Sequence, residues 1–107
     1  MATTQISFGI VGQPVGREVP AMVAESVVSE SITPSGSNQQ TTIAARGGDP
    51  VLDERNTMAR IATDTTVYVS FGSAPDAVND ANRLLIPAGG VEYLFVRPGY
   101  MAAVVTA

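Results

Sequence analysis

The clearest pattern in the chain is the alternation in Thr65-Thr66-Val67-Tyr68-Val69-Ser70-Phe71. Val67, Val69 and Phe71 share one face of an extended backbone, and Thr66, Tyr68 and Ser70 share the other. Gly72-Ser73-Ala74-Pro75-Asp76 ends that strand, and residues 77–82 form a polar excursion with room for one helical turn. Arg83-Leu84-Leu85-Ile86 is the next apolar run, stopped by Pro87-Ala88-Gly89-Gly90. Val91-Glu92-Tyr93-Leu94-Phe95-Val96 is apolar at every position but Glu92, which predicts a strand covered on both faces. In Arg97-Pro98-Gly99-Tyr100, proline pre-sets φ at the second position and glycine supplies a positive φ at the third. That order suits a type II turn, whereas two-residue hairpins prefer the primed types. Met101-Ala102-Ala103-Val104-Val105 reads as the last strand.

The first half is punctuated differently. Gly9, Gly12, Pro14, Gly16 and Pro20 defeat a helix and permit at most a short strand around Ile6-Ser7-Phe8. The expectation is an extended N-terminal arm over residues 1–20, whose apolar Ile6, Phe8, Ile10, Val11 and Val15 are the candidate partner-binding residues. Deleting residues 1–16 should then leave the remaining domain folded. Between residues 22 and 32, Val23, Val27, Val28 and Ile32 could form a helical stripe, but β-branched residues interleaved with serine favour a strand. Residues 33–40 are small and polar and read as a surface loop or a disordered tip. Thr41-Thr42-Ile43-Ala44-Ala45 is a short run, Gly47-Gly48-Asp49-Pro50 breaks the chain again, and residues 51–56 read as irregular or as a single helical turn. Seven or eight short strands with turn signals every eight to twelve residues predict an all-β fold. The architecture expected is a small antiparallel β-sandwich or barrel, jelly-roll or immunoglobulin-like, formed by residues 21–107 behind the arm. No strand-helix-strand alternation and no fixed-period repeat appears.

Composition narrows the function classes. The 107 residues make one ordinary domain, 45% hydrophobic but only 15% charged, against a usual charged share of about 25%. Lightly charged surfaces favour contact with another macromolecule. The net charge is −4, and the six cations are all arginines spread singly along the chain. Such scatter does not neutralise a run of phosphates, so neither nucleic acid nor an anionic membrane is expected as a partner. The first residues lack a basic region followed by an apolar one, and no stretch approaches a membrane span, which predicts a soluble product made in the cytoplasm.

The chain has no histidine, cysteine, lysine or tryptophan. That removes Ser-His-Asp and Cys-His nucleophile activation, Schiff-base chemistry, disulfides and histidine- or thiolate-ligated zinc. What remains is carboxylate chemistry. Asp49, Asp53, Glu54 and Asp64 could serve as a glycosidase pair if held about 5–9.5 Å apart across a sugar cleft. Acidic residues beside glycine and proline more commonly cap turns. The same acids lack the ligand spacing and central glycine of a calcium loop, and Gly9–Gly16 has the wrong spacing for a phosphate-binding loop, with Pro14 where an N–H donor is needed. Tyr68, Tyr93 and Tyr100 would make a sugar-stacking platform if they lay together, although strand tyrosines are more often half-buried. Phe8, Phe71 and Phe95 are of the type expected in the core, although Phe8 on a mobile arm would suit docking to a neighbour. No catalytic residue, metal site or cofactor is predicted.

Residues 61–105 resemble a pattern found in small structural proteins of tailed bacteriophages. It is carried by Ile61-Ala62-Thr63-Asp64-Thr65-Thr66-Val67-Tyr68-Val69-Ser70-Phe71-Gly72, then Ala74-Pro75, Leu85-Ile86-Pro87-Ala88-Gly89, Glu92-Tyr93-Leu94-Phe95-Val96 and Pro98-Gly99. The resemblance implies that the Val67–Gly72 strand pairs with a hairpin running from Leu85 to Gly99. It implies a β-sandwich used in virion architecture, as a capsid decoration or cement protein or a fibre base, with no catalytic residues to transfer. The partners implied are the major capsid protein and further copies of the chain, as a homo-oligomer such as a trimer or as lattice-bound copies. A carbohydrate- or receptor-binding module of a virion fibre or tail is the alternative.

Overall fold

The structure, a computed structural model, describes residues 2–12, 21–22, 27–45 and 57–107. These form nine strands and no helix: β1 (Thr4–Gly12), β2 (Ala21–Met22), β3 (Val28–Ile32), β4 (Gln39–Gln40), β5 (Thr57–Thr63), β6 (Val67–Gly72), β7 (Leu84–Ile86), β8 (Val91–Phe95) and β9 (Met101–Thr106). One antiparallel sheet runs β2-β1-β5-β8, with β3 also pairing β1, over Thr4–Phe8. The other runs β4-β9-β6-β7. The fold is all-β, two antiparallel sheets facing each other as a small sandwich.

Alternation decides which side chains meet between the sheets. Ile6 and Phe8 of β1 stand opposite Ile61 and Ala59 of β5, and Val67, Val69 and Val104 answer from β6 and β9. All are buried in one core cluster with Ile86 and Ala102. Phe8 meets Phe71 edge-on, ring centroids 6.3 Å apart, the T-shaped geometry that the ring quadrupoles favour. The end of the sandwich is closed by a buried threonine pair. The Thr63 hydroxyl donates to the Thr65 carbonyl at 2.6 Å and lies 2.9 Å from the Thr4 hydroxyl, which must therefore donate to it.

Residues 4–12 are thus not a free arm. They form a strand held by β3 on one side and β5 on the other, and Ile6 and Phe8 are 0% exposed. A strand with partners on both edges satisfies its backbone in spite of Gly9, and burial of its apolar face outweighs glycine's entropic cost. The rest of the expected arm, residues 13–20 with Val15, lies outside the described residues.

Two further expectations change. The Leu85–Gly99 segment is not a hairpin: β7 pairs β6 in one sheet and β8 pairs β5 in the other, so Pro87–Gly90 carries the chain across the sandwich. Arg97–Tyr100 carries it back to β9. Gly99 has φ +89° and the Tyr100 N–H donates to the Arg97 carbonyl at 3.1 Å, which is the expected type II turn joining two sheets rather than two neighbouring strands. Second, the strand covered on both faces is β9, not β8. Ala102 and Val104 face the core while Ala103 and Val105 are buried on the outer side, under Ala77 and Tyr68.

The cover on that outer side is the 73–83 connection, pinned by polar contacts. Asn38 Nδ2 and Gln40 Nε2 donate to the Pro75 carbonyl, and the Ala77 N–H donates to Asn38 Oδ1. The buried Ser70 hydroxyl donates to Asp80, which also accepts the Asp76 N–H. The Arg83 guanidinium lies 3.8 Å from the Tyr68 ring centroid and donates to the Ala77 and Val78 carbonyls. One helical turn forms here, with the Asp80 N–H donating to the Asp76 carbonyl. Residues 33–40, expected as a surface loop or a disordered tip, supply three of these contacts, through Asn38 and Gln40.

This clamp predicts a pH dependence. The Asn79 side-chain amide and the Val78 N–H hold Asp76 below the usual carboxylate range, and the Asp76 N–H and Ser70 hydroxyl do the same for Asp80. A carboxylate with a lowered folded-state pKa contributes stability in full above its unfolded value, about 3.9, and loses it as pH falls towards the folded value. Thermal midpoints measured from pH 6 to pH 2 should fall below about pH 4, and Asp80→Asn should flatten that fall. An equally steep fall in Asp80→Asn would remove Asp80 as its source.

Candidate functional site

The two crossovers leave β8 as an edge strand of the five-stranded sheet. Its register with β5 pairs Ala62 with Val91, Arg60 with Tyr93 and Met58 with Phe95 on the outer face. In consequence Val91, Tyr93 and Phe95 stand in a row facing solvent, 44, 57 and 54% exposed. Burying large apolar side chains is worth roughly 1.5–3 kcal/mol each, so three in a row on an outer face mark a surface awaiting contact. Phe95, expected in the core, is exposed because it has the parity of Tyr93, while Leu94 between them packs inward. Arg60 spans the row: its Nε donates to the Tyr93 hydroxyl at 3.2 Å and its guanidinium carbon lies 6.0 Å from the ring centroid.

Next to Phe95 the end of the sandwich opens into a groove of about 370 Å³. Phe71, Leu94, Phe95 and Tyr100 make its apolar walls, and Asn82 and Arg97 its polar rim. Apart from Phe71 and Arg60, both features come from the segment between Asn82 and Tyr100, where β8 leaves one sheet and the chain turns into the other.

The candidates expected from sequence are dispersed. Ile6 and Phe8 are core residues, Ile10 is half-buried, and Val11 lies at the end of β1 opposite Met22. The buried pair has no surface to offer a partner in this fold. Of the four carboxylates, Asp49, Asp53 and Glu54 lie outside the described residues. Asp64 is a clamp, accepting the Thr3 N–H at 2.7 Å while its own N–H donates to the Thr3 carbonyl. The tyrosines do not share a platform. Tyr93 is on the outer face of one sheet, Tyr68 lies under Arg83 on the outer face of the other, and Tyr100 lines the groove. Among the described residues no group of three or more acidic side chains is placed to hold a metal ion, and no helix is long and apolar enough to cross a membrane.

Nothing in the sequence reading marked Val91 or Arg60 for this surface, and Phe95 was expected in the core. The signal available was the apolar identity of both faces of residues 91–96, which fits a two-sided core strand and an exposed edge strand equally well. No protein-family model, no curated protein and no solved structure matches the chain.

Proposed function

We propose that this chain is a non-catalytic structural protein of a tailed-bacteriophage virion, a decoration or cement protein that binds the outside of the head lattice and stabilises it by contact with the major capsid protein. The observation that carries the proposal is the apolar surface left open from Val91 to Tyr100, an exposed row beside an open groove on a chain of low charge. The resemblance of residues 61–105 supports the virion setting. A lattice repeats the same docking site many times, so modest contact per copy sums to a durable coat. The groove, with apolar walls and a polar rim, is the attachment surface.

The test is the copy number of this chain in purified particles. Capsomer-level stoichiometry is expected, and its absence from particles overturns the proposal. Asn82→Arg places a large charged side chain at the groove rim, on a residue that is solvent-exposed. It should lower occupancy on particles at least about tenfold, the effect of losing roughly 1.4 kcal/mol of contact, with the thermal transition unchanged. Full occupancy by the variant would move attachment away from the groove.

A second reading, a carbohydrate- or receptor-binding module of a fibre or tail, is favoured by one feature: Tyr93 presents an exposed ring with a guanidinium beside it. Aromatic faces with an adjacent donor suit a sugar ring. A glycan array with hits that vanish in Tyr93→Ala would support this reading; an array with none would dismiss it.

A further inference from the structure

β8 is, among the described residues, the edge strand that carries a row of large exposed apolar side chains. Among the described residues, β2 and β4 are two residues long, and β7 is three and runs into Pro87. β3 presents Ser29 and Ser31 outward, and its Glu30 carboxylate is tied across to the Thr42 and Ile43 N–H groups. Short strands, proline and charge are the usual guards against edge pairing. β8 is five residues long, has no proline, no lysine and no bulge, and carries a single charge, Glu92.

The ladder fixes which backbone groups of β8 are free. The Val96 N–H donates to the Thr57 carbonyl and the Thr63 N–H donates to the Gly90 carbonyl. Hydrogen-bonded pairs alternate along an antiparallel ladder, so Leu94 and Glu92 also turn their N–H and C=O towards β5. Val91, Tyr93 and Phe95 therefore turn theirs towards the open edge, the same three residues whose side chains form the exposed row.

We infer that two copies of the chain pair through this edge, β8 against β8 antiparallel, about a two-fold axis at Tyr93. In that register Tyr93 faces its own counterpart and Val91 faces Phe95 of the second copy. All three are pairs whose backbone groups point at each other, so each exchanges two hydrogen bonds. The outer face then carries a continuous apolar stripe, valine on phenylalanine and tyrosine on tyrosine, of the aromatic and β-branched kind that stabilises cross-strand neighbours. The charge pattern fits the same register. Glu92 faces Leu94 of the second copy, and the two Glu92 carboxylates are diagonal, about two residues or roughly 7 Å apart along the strand. An axis at Glu92 would set carboxylate against carboxylate, and an axis between residues would set free backbone groups against occupied ones. The interface is isologous and closed, joining the two five-stranded sheets into one. It lies beside the groove, with Phe95 common to both, and a dimer would present two grooves to a lattice.

The test is the mass of the full chain in solution, by light scattering and sedimentation, from about 1 to 100 μM, the range in which modest interfaces form. A dimer of twice the 11.1 kDa chain mass is expected. Tyr93→Lys and Tyr93→Glu each set like charges directly across the axis and should each run as monomers, with the dissociation constant raised at least about tenfold. Because position 93 meets itself, an equimolar mixture of the two variants should recover the dimer mass. Circular dichroism of each variant should keep the wild-type strand signature, since the side chain is solvent-facing. A wild-type monomer throughout that range, a trimer or open-ended species, dimeric Tyr93→Lys, or a mixture that stays monomeric would each overturn the inference. A monomer that is still incorporated into particles would overturn the pairing and leave the proposed function standing.

Discussion

Removal of residues 2–12 is expected to abolish the cooperative thermal transition, not merely to loosen attachment to a partner. β1 lies between β3 and β5 in the larger sheet, so its loss strips the ladder from two neighbours at once. It also empties the centre of the core. Ile6 and Phe8 are fully buried, and truncation of residues of these types costs about 2–5 kcal/mol for isoleucine and 3–5 kcal/mol for phenylalanine. A domain of this size has about 5–15 kcal/mol of stability in all. The two side chains together reach or exceed the lower end of that range before any backbone hydrogen bond is counted. Phe8→Ala alone should lower the unfolding free energy by about 3–5 kcal/mol, with Phe71 losing its edge-on partner. The measurement is calorimetry or the circular-dichroism melt of the truncated chain. A sharp transition with the native strand signature would return residues 2–12 to the status of an arm.

That expectation reverses the reading of the N-terminus, and the cause is specific. Gly9 and Gly12 lower local strand preference, and a sequence reader weighs them with Pro14, Gly16 and Pro20 as one punctuated stretch. Strand formation at Thr4–Gly12 is decided by partners far along the chain, in the Ile6–Ile61 and Phe8–Ala59 pairings, and these are invisible to a local window. The second half is different because its signals are local. Alternation in Val67–Phe71 put the right side chains inward, and Arg97-Pro98-Gly99-Tyr100 specified a turn type that the φ of Gly99 bears out. The Asp64 clamp was not legible in this way, because its partner, the Thr3 N–H, lies 61 residues away.

The candidate surface was the least legible part. Apolar residues on both faces of a strand show that both faces want cover, not whether this chain supplies it. For β9 the cover comes from the 73–83 connection, through contacts of Asn38 and Gln40 to residues 75 and 77 that no spacing rule foresees. For β8 none of the described elements does so on the outer face, and the same apolar pattern becomes a surface. The difference lies in topology. A hairpin from Leu85 to Gly99 would have set β8 beside β7; the crossover at Pro87–Gly90 makes it the rim of the opposite sheet.

Gly90→Ala is expected to damage that crossover and, with it, the pairing edge. A Cβ at this position would lie 2.8 Å from the Pro87 carbonyl oxygen and 3.0 Å from Ile86 Cγ2. The first is a backbone atom and the acceptor of the Gly90 N–H, so relief requires opening the turn itself. Opening it also disturbs the Thr63 N–H bond to the Gly90 carbonyl and the Gly89 N–H bond to the Thr63 carbonyl, which set β8 in register on β5. Overpacking against a fixed neighbour costs about 1–3 kcal/mol, and the register contacts add to it. Two comparisons separate the causes. Gly89→Ala meets open space but must hold φ near +81°, so its loss of roughly 1–2 kcal/mol is backbone strain alone. Gly36→Ala meets open space with no such constraint and should stay within about 0.5 kcal/mol of wild type. Denaturant midpoints of the three variants give the ranking. Dimerisation measured under native conditions should weaken in Gly90→Ala but not in Gly36→Ala, because only the former moves Val91, Tyr93 and Phe95 relative to β5. Matching midpoints for Gly90→Ala and Gly36→Ala would show that the close approach of Pro87 does not hold β8 in place.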